Sequence, residues 1–156
     1  MLNLMIVSIG SIRSLACRQL ADDYFQRIQR LAKIKSVELS GGRFAIGQAK
    51  IARHQDSLRL VDFLKKYPND SAYLLAESGQ EIDSIAWSKM LGNWDSSGRR
   101  VILIIGGAPG LEADLLKIDG KISLSKLTWP HELARVLLLE QLYRGLMIGA
   151  QKDYHY

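Results

Sequence analysis

Three segments gather the residue types that hold and turn over a small organic ligand. Residues 74–79 read Leu-Leu-Ala-Glu-Ser-Gly, residues 106–110 Gly-Gly-Ala-Pro-Gly, and residues 123–131 Ser-Leu-Ser-Lys-Leu-Thr-Trp-Pro-His. Glycine frees φ and lets backbone approach a ligand closely. The 106–110 turn has neither dinucleotide-fingerprint spacing nor the Lys-Ser/Thr of a phosphate loop. Read alone, a glycine-rich turn after a strand is more often structural than functional. Residues 123–131 supply backbone donors and acceptors, the hydroxyls of Ser125 and Thr128, and the indole of Trp129. That mixture suits an uncharged, hydrogen-bonding heterocycle such as adenine better than a phosphate. The same segment also reads as a helix start, with Thr128 as cap and Pro130 opening the first turn. At the end of the sequence, Asp153-Tyr154-His155-Tyr156 sets an imidazole, a group whose unperturbed pKa lies near neutrality, between two phenols.

The elements that must position these segments alternate along the chain. Residues 4–9 form a short apolar run ended by Gly10, read as a buried strand. Ser14 caps a helix carrying Leu20, Tyr24, Phe25, Ile28 and Leu31 at helical spacing. Residues 35–39 are a second strand, and the glycine-rich residues 40–47 a mobile loop. A polar helix over residues 48–66 places Ile51, Leu58, Val61 and Leu64 on one face. Residues 72–76 are a strand, turned by Glu77-Ser78-Gly79. A helix marked by Ile85, Met90, Leu91 and Trp94 follows, closed by a polar turn at 95–98. Residues 101–105, Val-Ile-Leu-Ile-Ile, are the strongest strand signal and fit a central parallel strand covered on both faces. Residues 122–125 are a fifth strand, and residues 130–149 the longest helix. The whole chain, 1–156, reads as one α/β domain with a mostly parallel sheet flanked by helices. In such sheets ligands bind beyond the carboxyl ends of the strands, where the three segments fall.

Composition narrows the class. The 156 residues are 47% hydrophobic and 24% charged, as expected of a globular domain rather than a disordered or low-complexity chain. Lys+Arg 21 against Asp+Glu 16 gives a net charge of +5, compatible with a polyanionic partner. Cys17 stands alone, so no internal disulfide or cysteine-based zinc site is expected, and it reads as a small buried apolar residue on a helix. His54, His131 and His155 show no metal-ligand spacing, so no metal is expected. The apolar N-terminus has no basic leader, and no run is long enough to span a bilayer. A cytoplasmic protein with no membrane partner is expected. The last helix carries Leu133, Val136, Leu137, Leu138, Leu139, Leu142, Leu146, Met147 and Ile148 over more than one stripe. It is either a dimer interface or a central core helix.

The glycine turn at 105–110, the 123–131 segment, Leu133-Ala134-Arg135-Val136, Glu140-Gln141-Leu142-Tyr143-Arg144 and the terminal Tyr154-His155 together resemble the RlmH family. These are SPOUT-class methyltransferases acting on pseudouridine in large-subunit (23S) ribosomal RNA. The resemblance spans essentially the whole chain and is most specific over its last 35 or so residues. It implies a C-terminal trefoil knot, an exception to the rule that chains do not knot, and a homodimer. It implies S-adenosyl-L-methionine as cofactor, contacted by Leu75, Gly106, Leu124, Ser125, Lys126, Leu127, Thr128 and Trp129. The product would be N3-methylpseudouridine, formed on the assembled 70S ribosome.

Methyl transfer from a sulfonium is an in-line displacement on an already activated carbon, so the protein's task is alignment and charge stabilisation. The imide nitrogen must lose a proton, which makes His155 a candidate base. Arg144 would stabilise the uracil anion or hold a phosphate, and Tyr154 would stack on a base. Arg135 and Arg144 also read as helix arginines paired with Glu132 or Glu140. The chain departs from the family at Ala76, where an Asp is usual, so that residue's task passes to Glu77 or is lost. Pro109 stiffens the glycine turn. Tyr156 replaces a basic residue, which weakens any phosphate grip at the tail. A non-catalytic ribosome- or RNA-binding module is the competing expectation.

Overall fold

In the computed structural model, which describes residues 1–42, 45 and 47–151, five parallel strands run in the order β2-β1-β4-β3-β5. They are β1 (Asn3–Ile9), β2 (Lys33–Leu39), β3 (Ser71–Glu81), β4 (Val101–Ile105) and β5 (Gly120–Ser123). Every residue of β4 is buried, which explains why its sequence is continuously apolar. Alternate side chains feed two cores. Leu4, Ile6, Val101, Leu103 and Ile105 face a layer made by α1 (Leu15–Gln29), α3 (Ser84–Ser97) and α4 (His131–Gly149). Met5, Val7, Ile102 and Ile104 face α2 (Ala49–Leu64) and Leu116, which follows the 3-10 turn Ala113–Leu115. Burying each such side chain is worth roughly 1.5–3 kcal/mol.

Two helical faces differ from the expectation. On α2 the buried residues are Ala52, Asp56, Ser57, Leu60 and Phe63, while Ile51 and Leu58 are exposed. The apolar count misled because Asp56 and Ser57 are buried by hydrogen bonding: Asp56 accepts from Gly42 N–H and Arg59, and Ser57 donates to the Arg53 carbonyl. On α1, Leu20 is exposed, and Ala21 and Ile28 carry the burial. Cys17 is half-buried rather than buried. Of the glycine-rich loop, Arg43, Phe44 and Ile46 lie outside the described residues.

β3 also runs further than expected, through the segment read as a turn. Tyr73, Leu74 and Leu75 pair with Gly120, Lys121 and Ile122; the register then shifts, so that Gln80 and Glu81 pair with Ile122 and Ser123. Residues 76–79 bulge out of the ladder between these pairings. Such bulges re-aim side chains beside functional sites. α4 begins with Pro130 as its N-cap, with no side-chain capping bond among the described residues, so Thr128 does not have that role. Instead Glu132, in the first turn, accepts the Ser14 N–H at 2.9 Å while Ser14 itself caps α1. Two helix N-termini are thereby joined. Residues 131–148 of α4 are all buried or half-buried.

Candidate active site

Beyond the carboxyl ends of β3, β4 and β5 the three segments enclose a cavity of about 970 Å³. The first wall is Leu74 to Ser78, projected by the β3 bulge. The second is the glycine turn after β4. The Gly110 N–H donates to the Gly107 carbonyl at 2.9 Å, and Gly110 sits at φ +75°, a conformation glycine adopts without strain. A β-carbon on Gly107 would stand 3.1 Å from Ile9 Cγ2, so the turn lies directly on the end of β1. Gly106, Gly107, Ala108 and Gly110 line the cavity, and Pro109 does not.

The third wall is the connection from β5 to α4. Ser123 Oγ donates to the Ser125 carbonyl at 2.9 Å, and Ser125 Oγ accepts the Leu127 N–H at 3.0 Å. These local bonds fold the segment without a helix or strand. Leu124, Ser125, Leu127, Thr128 and Trp129 line the cavity. Trp129 Nε1 is buried and, among the described residues, has no hydrogen-bond partner. An unpaired buried N–H costs about 1–3 kcal/mol, so this donor is suited to a ligand's acceptor.

Of the residues expected at a cofactor, Leu75, Gly106, Leu124, Ser125, Leu127, Thr128 and Trp129 meet here. Lys126 points away; its Nζ lies 3.9 Å from Glu81 Oε2 in an exposed pair. The lining also contains Arg53, Glu77 and His131. Glu77 was expected only as a stand-in for a missing Asp. Arg53, one arginine on a polar helix, carried no signal in the sequence.

Residues 2–155 match the family model described as "Predicted SPOUT methyltransferase". The chain belongs to the SPOUT methyltransferase family. Its relatives include a protein of Methylobacillus flagellatus named ribosomal RNA large subunit methyltransferase H, 35% identical, with 99% of each chain covered. Proteins of the same name from an Anaeromyxobacter species and from Clostridium kluyveri are 34% and 30% identical, again over 99% of each chain.

A SPOUT methyltransferase needs a methyl donor, and the cavity offers close backbone approach at its glycines and hydrogen-bonding groups along its third wall. The helix arginines are placed less directly. Arg144 lies on α4 with Nε 2.8 Å from Glu140 Oε1, the pairing expected from their spacing. Glu140 also accepts from Gln141 at 2.6 Å. Arg135 does not pair with Glu132; it bonds Glu38 and Ser36, each at 2.6 Å, and Ser8 at 3.3 Å. It therefore pins α4 across the ends of β1 and β2. Glu132 is held below the usual carboxylate range, chiefly by the Ser14 N–H it accepts. Tyr154 and His155 lie outside the described residues.

Proposed function

We propose that this chain is a homodimeric enzyme that methylates N3 of a pseudouridine in large-subunit ribosomal RNA, using S-adenosylmethionine on the assembled ribosome in the cytoplasm. The cavity carries the reading. It unites the three segments expected to hold the donor, and its buried Trp129 Nε1 has no acceptor among the described residues. The relatives' printed names support the RNA substrate, as does the net charge of +5.

In this reading Leu75, Gly106, Leu124, Ser125, Leu127, Thr128 and Trp129 hold the donor, with Lys126 flanking on the solvent side. S-adenosylmethionine, when bound, supplies an activated methyl group. The chain's residues then need only orient the acceptor and manage one proton. His155 accepts the N3 proton, Tyr154 stacks on a base, and Arg144 steadies the uracil anion or a phosphate while Glu140 fixes its guanidinium. Leu133, Leu137, Leu146, Met147 and Ile148 of α4 are only partly covered by their own chain, which supports a second copy packing there. The C-terminal trefoil knot implied by the resemblance belongs to the same proposal.

Calorimetric titration of S-adenosylmethionine, with light scattering for mass, tests donor and dimer together. The expected result is saturable binding to a particle of twice the 17.5 kDa chain mass. Absence of binding by the folded protein would favour a non-catalytic RNA-binding module instead.

A further inference from the structure

Building on the donor reading, we infer that Arg53 binds the carboxylate of the methyl donor's amino-acid tail. Arg53 lies on α2, on the opposite sheet face from α4, and lines the same cavity as residues 124–129. Its Cδ lies 3.9 Å from where a β-carbon on Gly110 would stand, so its stem runs along the glycine turn.

Among the described residues, the Arg53 guanidinium has no ion-pair or hydrogen-bond partner. The carboxylate that the fold brings against this part of α2, Glu112, is occupied by the neighbouring His54, whose Nδ1 is 2.8 Å from Glu112 Oε2. The Arg53 backbone, in contrast, is fixed. Fully buried Ser57 donates to the Arg53 carbonyl at 2.7 Å and accepts the Glu112 N–H at 2.8 Å. One hydroxyl thus joins the helix turn bearing Arg53 to the segment that leaves the glycine turn.

Among the described residues, the other charged or titratable ones in the lining are Glu77 and His131. An unpaired cation and an exposed carboxylate in one cavity match an α-amino acid's carboxylate and ammonium. The rest of the described lining is uncharged, which suits the nucleoside. An RNA phosphate would also attract a guanidinium. The coupling of Arg53 to the glycine turn, which shapes the small-ligand cavity, favours the donor.

The test is calorimetric titration of S-adenosylmethionine and of its decarboxylated analogue into wild type and Arg53→Gln. Wild type should bind the carboxylated ligand about tenfold more tightly, the scale of one partly solvated charge-assisted bond. Arg53→Gln should lose that margin and bind the decarboxylated analogue as wild type does, and Arg53→Lys should recover part of it. Equal losses for both ligands, or no loss for S-adenosylmethionine, would overturn the assignment. So would a variant whose only defect is salt-dependent binding to 70S particles, which would place Arg53 on an RNA phosphate. A wild type that binds neither ligand would overturn the donor reading and this inference with it.

Discussion

Gly79 presses on the backbone of Ile122 so closely that a β-carbon at Gly79 would stand 2.5 Å from the Ile122 carbonyl carbon. The Ile122 and Ser123 nitrogens would each lie 2.7 Å away. These are backbone atoms of a paired strand and cannot rotate aside. Gly79→Ala should therefore destabilise the fold by at least the 1–3 kcal/mol typical of overpacking. Because Gly79 closes the β3 bulge, donor affinity should fall as well. Urea unfolding with a wild-type midpoint would contradict this.

A similar contact joins two helices. A β-carbon on Gly145 of α4 would lie 2.8 Å from Leu91 Cδ1 and 2.9 Å from Trp87 Cδ1, both on buried residues of α3. Alanine in place of glycine gains about 1 kcal/mol of helix propensity, and overpacking costs about 1–3 kcal/mol. Gly145→Ala should thus be neutral to moderately destabilising, and Gly145→Val clearly destabilising. A Gly145→Val protein as stable as wild type would show that α3 and α4 separate freely.

Trp129→Phe removes a buried N–H that has no partner among the described residues. The free protein should lose little stability, since no hydrogen bond among the described residues is broken. Affinity for S-adenosylmethionine should drop by about two- to tenfold, the worth of one hydrogen bond. Unaltered affinity would mean that the indole does not face the donor.

The Ser14–Glu132 link should be visible in acid. Glu132 is held below its ordinary pKa in the folded chain by the Ser14 N–H. Its contribution is therefore present above the unfolded value of about 4.3 and fades as pH falls through the lower folded value. Glu132→Gln keeps an acceptor but cannot titrate. Its stability should fall less steeply than that of wild type as the pH drops below about 5. Parallel curves from denaturant midpoints across pH 3–6 would contradict the link.

The strands and the three cavity-lining segments were legible because their signals are local: a continuous apolar run at β4, glycine after a strand, and Ser-Leu-Ser before Thr-Trp-Pro-His. The β3 bulge was not, because it arises from Ile122 serving as partner to both Leu75 and Gln80, a relation between distant strands. The buried face of α2 was misjudged for a related reason. Asp56 and Ser57 are hidden by bonds to Gly42 and Glu112, which no periodicity reveals. Arg53 joined the site through the same bonds. Arg135 found Glu38 across the fold in preference to Glu132 three residues away.

Transfer of labelled methyl groups from S-adenosylmethionine to purified 70S particles, with nucleoside analysis by mass spectrometry, tests the central claim most directly. Wild type should yield N3-methylpseudouridine in the large-subunit RNA. Gly106→Val, which crowds Leu111 and the cavity, should yield none and bind no donor; His155→Ala should bind the donor but turn over far more slowly. A folded wild-type dimer that binds S-adenosylmethionine but methylates neither ribosomes nor free ribosomal RNA would contradict the account.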